Sequence, residues 1–139
     1  MIPLLYSNVQ EALGGTWTEK KGNFQKNYFW NCETDTAVLT SYTGNYTAYD
    51  PIAVTPGKLY HVHGAKGSSA KQRFLLFVNA QNTILWKLEW TGSPVNTDVI
   101  APSGAVYALI TAGTKTDSYL NNVEFKEVST GGPVTNGLG

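Results

Sequence analysis

The sequence predicts an all-β domain whose antiparallel strands form a two-sheet sandwich or a barrel. Three observations point there. Short β-prone runs are separated by Gly, Pro, Asn and Asp turns along the whole chain, a pattern of two-layered or closed β folds. No stretch sustains the 3.6-residue apolar period of an amphipathic helix. Arg73–Val78 and Thr83–Trp90 flank Asn79-Ala80-Gln81-Asn82, a hairpin signal made of turn-favouring residues. There is no internal repeat of the solenoid or propeller kind.

The elements follow in order. Ile2–Val9 reads as a first strand, Gln10–Leu13 as at most one helical turn, and Gly14-Gly15 stops it. Thr16-Trp17-Thr18 resumes β character, with Trp17 assigned to the core, and Lys20–Asn23 is a loop. Asn27–Cys32 is an aromatic strand, Glu33–Thr36 a turn and Ala37–Thr40 another strand. Ser41–Asp50 changes in kind: it is polar, bears a glycine, carries three tyrosines and reads as loop. Thr55-Pro56-Gly57 is a turn, because proline pre-sets φ and glycine accepts the positive φ that a tight turn can require. Leu59–His63 is a β-rich run ending at Gly64. Val95–Ile100, Ala105–Ala112 and Tyr119–Val128 complete the strands, with Val106, Ala108 and Ile110 on one face. The expected domain is 1–128, and 129–139, S-T-G-G-P-V-T-N-G-L-G, has the composition of a flexible tether.

Composition narrows the function. At 139 residues the chain is long enough for one domain with a real core. Charged residues make up only 14%, against roughly 25% in typical soluble domains. The surface is therefore clothed in Thr, Ser, Asn, Gly and Tyr, which suits hydroxyl-rich ligands or a packed interface. Ten basic and ten acidic side chains cancel, and without a basic cluster no nucleic-acid partner is expected. No apolar run is long enough for membrane insertion. The N-terminus lacks the pattern of a signal peptide. Cys32 stands alone, so it makes no internal disulfide and reads as a small buried apolar residue.

The order V-T-P-G-K-x-Y-x-V-x-G, then F-x-x-F-V-N-A-Q-N-x-I, then A-P-S-G-A-x-Y-A-L-I carries a resemblance. The pieces are Val54-Thr55-Pro56-Gly57, Tyr60–Gly64, Phe77–Ile84 and Ala101-Pro102 through Tyr107–Ile110, with Asn122–Glu127 as a fitting closing strand. Together they resemble the jelly-roll carbohydrate-binding modules of phage tail, baseplate and receptor-binding proteins of Gram-positive hosts. Asn79 and Asn82 stand where the family's hairpin usually has Asp and Gly, and Leu109 lies where an Arg is frequent. The resemblance implies an antiparallel β-sandwich of the jelly-roll type, serving a virion or an extracellular surface. It implies host cell-wall saccharide and other virion tail proteins as partners.

The aromatics carry the candidate chemistry. A flat Trp or Tyr face covers the C–H patch of a sugar ring while polar neighbours bond its hydroxyls. Trp30, Tyr42, Tyr46 and Tyr49 are the candidate platforms, beside Asn31, Asn45 and Asp50. Trp86 shares an apolar strand face with Ile84 and Leu88 and is assigned to the core. If Gln81-Asn82 form a two-residue turn, Trp90 falls opposite Arg73, a pairing able to stack on a sugar and donate to its hydroxyls. The alternative for each is packing or plain exposure. His61 and His63 share a strand face, but no third ligand completes a metal site. No cofactor is expected: Glu33, Asp35, Asp50, Asp98 and Asp117 form no recognisable calcium loop, though calcium is a common structural ion in β-sandwich binding modules and stays an alternative. No catalytic pair or triad motif stands out, so the expectation is non-catalytic carbohydrate binding. The alternative is a structural or assembly domain whose exposed tyrosines contact protein.

Overall fold

The computed structural model describes residues 16–129. The expected Ile2–Val9 strand, the turn at Gln10–Leu13 and the tether beyond Ser129 lie outside the described residues. Twelve strands and one helical turn follow one another: β1 (Thr16–Glu19), β2 (Phe24–Lys26), β3 (Tyr28–Asn31), β4 (Val38–Ser41), β5 (Thr47–Tyr49), β6 (Ile52–Ala53), β7 (Leu59–Gly64), β8 (Leu75–Val78), β9 (Ile84–Lys87), β10 (Val95–Ile100), β11 (Tyr107–Ala112), α1 (Asp117–Leu120) and β12 (Glu124–Ser129). The protein is an all-β sandwich, as the turn-punctuated sequence predicts. One sheet runs β1-β12-β7-β10; the other runs β2-β5-β11-β8-β9, with β6 pairing β11 beside β5. Every pairing is antiparallel.

Strand alternation builds two cores rather than one. From β11, Ala108, Ile110 and Ala112 enter the cluster between the sheets, with Tyr60, Val62 and Phe125 from the facing sheet. Tyr60 and Phe125 stack there at 4.8 Å. Leu109 points the other way, as do Leu76 and Val78 of β8, and these three meet Trp30, Cys32 and Ala37. The hairpin β3–β4 thus lies over the outer face of the second sheet as a third layer. That cover explains why all four residues of β8 are buried: a strand covered on both faces reads as a continuous apolar run.

Several expectations need correction. Tyr49 belongs to β5, a buried three-residue strand, rather than to a loop. Tyr119 and Leu120 lie in the helical turn α1, so the last strand begins only at Glu124. Trp17 is half-buried on the outside of the first sheet, against the edge of His61 at 5.9 Å. Trp86 is exposed rather than core. Two features place it there: β9 is the edge strand of its sheet, and a bulge pairs Val78 with Ile84 but Phe77 with Trp86, leaving Leu85 as the extra residue. One inserted residue reverses the facing of everything beyond it. Ile84 therefore packs beneath the hairpin, while Trp86 lies on Phe77 at the opposite, edge face. Among the described residues no helix is long and apolar enough to cross a membrane.

Candidate functional site

Asn27 anchors the most ligand-like surface. Its φ of 69° places it in the left-handed region between β2 and β3, which asparagine tolerates better than most residues. From there its N–H donates to the Tyr46 carbonyl at 2.9 Å and its carbonyl accepts from the Tyr42 N–H at 2.8 Å. Both ends of the 42–46 loop are thereby pinned to the base of β3. The pinning gathers three rings. Phe29, buried, meets Tyr42 edge-on at 6.1 Å and Tyr46 at 5.6 Å, and the two tyrosines lie 5.6 Å apart. Tyr42 is 53% exposed. Its ring lies over the backbone of Gly44, where a Cβ would collide with Tyr42 Cε2.

The second wall is the 66–73 loop. Cys32 N–H donates to the Lys71 carbonyl at 2.8 Å and Gly113 N–H to the Ala65 carbonyl at 2.8 Å. The loop lies so close to the end of β11 that a Cβ on Gly113 would collide with Gly67 N and stand 2.6 Å from Lys66 O. Three cavities open around it. One, of about 350 Å³, is walled by Phe29, Tyr42 and Tyr46 with Asn31, Thr40, Ser41, Ser69 and Lys71. A second, of about 330 Å³, adjoins it across Tyr42 and Tyr46, with Asn45, Lys66, Ser68 and Gly113. A third, of about 230 Å³, lies across the loop and holds Gln72, Arg73, Glu89 and Trp90.

The structure sorts the predicted residues into three groups. Tyr42, Asn45 and Tyr46 come together around the first two cavities. Arg73 and Trp90 come together in the third, although the turn differs from the one supposed. Asn82 N–H donates to the Asn79 carbonyl at 3.0 Å, with Asn82 at φ 62°, so Ala80-Gln81 is the turn centre and the later bulge restores the pairing. Arg73 Nε also stands 3.4 Å from Glu89, a partner sequence reading assigned to solvent. Trp30 and Tyr49 are corrections. They are 6% and 2% exposed, and a ring enclosed by protein offers no face to a sugar. Asp50 is exposed at the end of β5 and lines none of these cavities.

Sequence reading missed Thr40, Ser41, Lys66, Ser69 and Lys71 as wall residues. The hydroxyl- and lysine-rich composition of the 66–71 loop hints at Lys66, Ser69 and Lys71, and nothing comparable marks Thr40 and Ser41 on β4. On the far sheet, His61 Nδ1 lies 2.7 Å from Asp98 and its Nε2 3.8 Å from Glu124. His63 Nδ1 lies 2.8 Å from the Asn122 carbonyl. Burial pushes the Glu124 carboxyl up, but the Lys126 ammonium, bonded to it, outweighs this and, with His61 and His63, holds it below its usual value. Among the described residues no group of three or more His, Cys, Asp or Glu is placed to hold a metal ion.

The overlap of Tyr42 and Gly44 yields a prediction. Gly44→Ala should push the ring off its seat, altering whatever Tyr42 holds, while unfolding free energy stays within about 0.5 kcal/mol because the site is at the surface. Near-ultraviolet circular dichroism and urea unfolding of the variant check both halves. No protein family, curated protein or solved structure matches the chain.

Proposed function

We propose that the chain is a non-catalytic carbohydrate-binding module whose site is the groove over Tyr42 and Tyr46. One observation carries the reading: an exposed Tyr42 beside a half-buried Tyr46, both backed by a buried phenylalanine, walls a cavity otherwise lined by hydroxyl, amide and ammonium groups. Stacking on C–H patches needs flat, fixed rings, and hydroxyls need short polar side chains around them. Arg73 and Trp90, across the 66–73 loop, would contact a neighbouring unit of the same chain of sugars. The jelly-roll reading gains support from the winding. Successive strands β6, β7 and β8 alternate between the sheets, β9 stays beside β8, and β10, β11 and β12 alternate again, the order expected of a jelly roll. On that reading the module belongs to a phage tail or baseplate protein and recognises saccharide of a Gram-positive cell wall, weak single sites being strengthened by many copies.

Calorimetric titration with cell-wall polysaccharide fragments from Gram-positive hosts tests this. Tyr42→Ala and Tyr46→Ala should each weaken binding roughly tenfold, the equivalent of about 1.4 kcal/mol, with far-ultraviolet circular dichroism unchanged. Val38 and Leu39 are also exposed on β4, which favours an assembly contact as the second reading. Absence of binding across the panel, with self-association weakened in Tyr42→Ala, would establish that role instead.

A further inference from the structure

We infer that the groove selects saccharides bearing a negative charge, a carboxylate or a phosphate on the sugar. This rests on the carbohydrate-binding reading and names the ligand class of the same site. The chain carries no net charge, yet its charges are unevenly placed. Lys71 lines the cavity on one side of Tyr46 and Lys66 the cavity on the other. Lys115 stands behind them, its Nζ donating to Asn27 Oδ1 at 2.9 Å, on the residue that pins both tyrosines. No Asp or Glu lines either cavity. Among the described residues none of these lysines forms an ion pair with a carboxylate.

The neighbouring acids are otherwise engaged. Glu33 accepts from Asn31 Nδ2 at 3.1 Å while its own N–H caps Asn31 Oδ1. Glu89 faces Arg73 across the loop, and Asp117 sits 2.6 Å from Lys26. Glu33 on the wall residue Asn31, and Glu89 in the third cavity that Lys66 also borders, offset part of this charge. The two tyrosine-walled cavities themselves carry lysines and no carboxylate, which raises the local potential that the lining of a cleft focuses. Hydrogen bonds from an ammonium to an anion are roughly twice as strong as neutral ones. Sugar C–H faces would rest on the tyrosines, leaving the acid group at the ends of the groove, within the field of Lys71 and Lys66.

The test is an array of matched glycans probed with the full chain: trigalacturonic acid beside its methyl ester, and phosphorylated mannotriose beside mannotriose, extended across many backbones. The bound set is expected to be acidic, and the uronate and phosphate arms identify the anion. Lys71→Gln and Lys66→Gln should each lower binding roughly threefold to tenfold, Lys71→Arg should restore it, and salt at about 0.5 M should weaken it. Binding of neutral glycans that depends on Tyr42 but ignores the lysines overturns the charge preference and leaves the binding module standing. Binding of no glycan at all overturns both.

Discussion

Replacing Trp30 with alanine is expected to lower the unfolding free energy by about 3–5 kcal/mol, shifting the urea midpoint while leaving the slope unchanged. The indole sits between the β3–β4 hairpin and the second sheet, in the cluster with Leu76, Val78 and Leu109. Its Nε1–H donates to the Tyr49 carbonyl and its backbone N–H to Thr111 Oγ1, both at 2.9 Å. Truncation opens a cavity and strips the Tyr49 carbonyl of this donor. Trp30→Phe separates the two effects: it refills most of the space and should cost about 1–3 kcal/mol, the penalty for an unsatisfied buried acceptor. Equal losses for the two variants would contradict this account.

The same residue separates structural from ligand-binding roles. Trp30 and Phe29 are adjacent on β3, so they face opposite ways; Trp30 enters the second core while Phe29 supports Tyr42 and Tyr46. A loosened hairpin would carry the tyrosines with it. If the chain binds saccharide as proposed, binding lost in Trp30→Ala reports the fold, whereas binding lost in Tyr42→Ala, at an exposed ring, reports the surface.

What the sequence made legible depended on the reach of the interactions. Val95–Ile100 and Leu59–Gly64 declare themselves by strand-forming residues and flanking turns, and they pair along their full lengths. Thr47-Ala48-Tyr49 does not, because its burial is long-range: Ala48 lies beneath the hairpin of residues 28–41, Tyr49 enters the cluster between the sheets, and the strand pairs with β11 over sixty positions later. Trp86 does not, because neither the bulge that parts it from Ile84 nor the edge position of β9 that exposes it is written in the alternation of apolar residues. Tyr42, Asn45 and Tyr46 are legible as a cluster because they are near neighbours in one polar segment. Lys66, Ser69 and Lys71 were not, because the Cys32–Lys71 hydrogen bond and the Gly113 contact that bring them there join distant parts of the chain. Local chemistry announced the platform; long-range packing supplied its walls.

The interior also makes stability depend on alkaline pH, with a sign fixed by two tyrosines. Tyr49 and Tyr60 are enclosed, and burial pushes each phenol up to about 12, aided by the Glu19 charge for Tyr49 and by Glu127 for Tyr60. Tyr60 donates to Glu127 Oε1 at 2.9 Å and accepts from the Thr55 N–H at 2.8 Å, while Tyr49 faces the Leu120 carbonyl at 3.4 Å. In the unfolded chain a phenol titrates near 10. Between those two values the unfolded chain gives up protons that the folded chain keeps, so each rise in pH favours unfolding. The stabilisation is complete below about pH 10 and is lost as pH climbs through the folded value of about 12. Each phenol accounts for roughly 3 kcal/mol across the interval, at about 1.4 kcal/mol per pH unit. Cys32, whose thiol burial also pushes up, acts in the same direction. Urea unfolding measured at intervals from about pH 8 to about pH 11.5 should show a falling free energy. Tyr60→Phe should flatten the fall by removing one of its two phenol contributions, leaving those of Tyr49 and Cys32. A midpoint that stays constant over the range would mean that water reaches these phenols in the folded protein, and that the sandwich core is more open than its packing indicates.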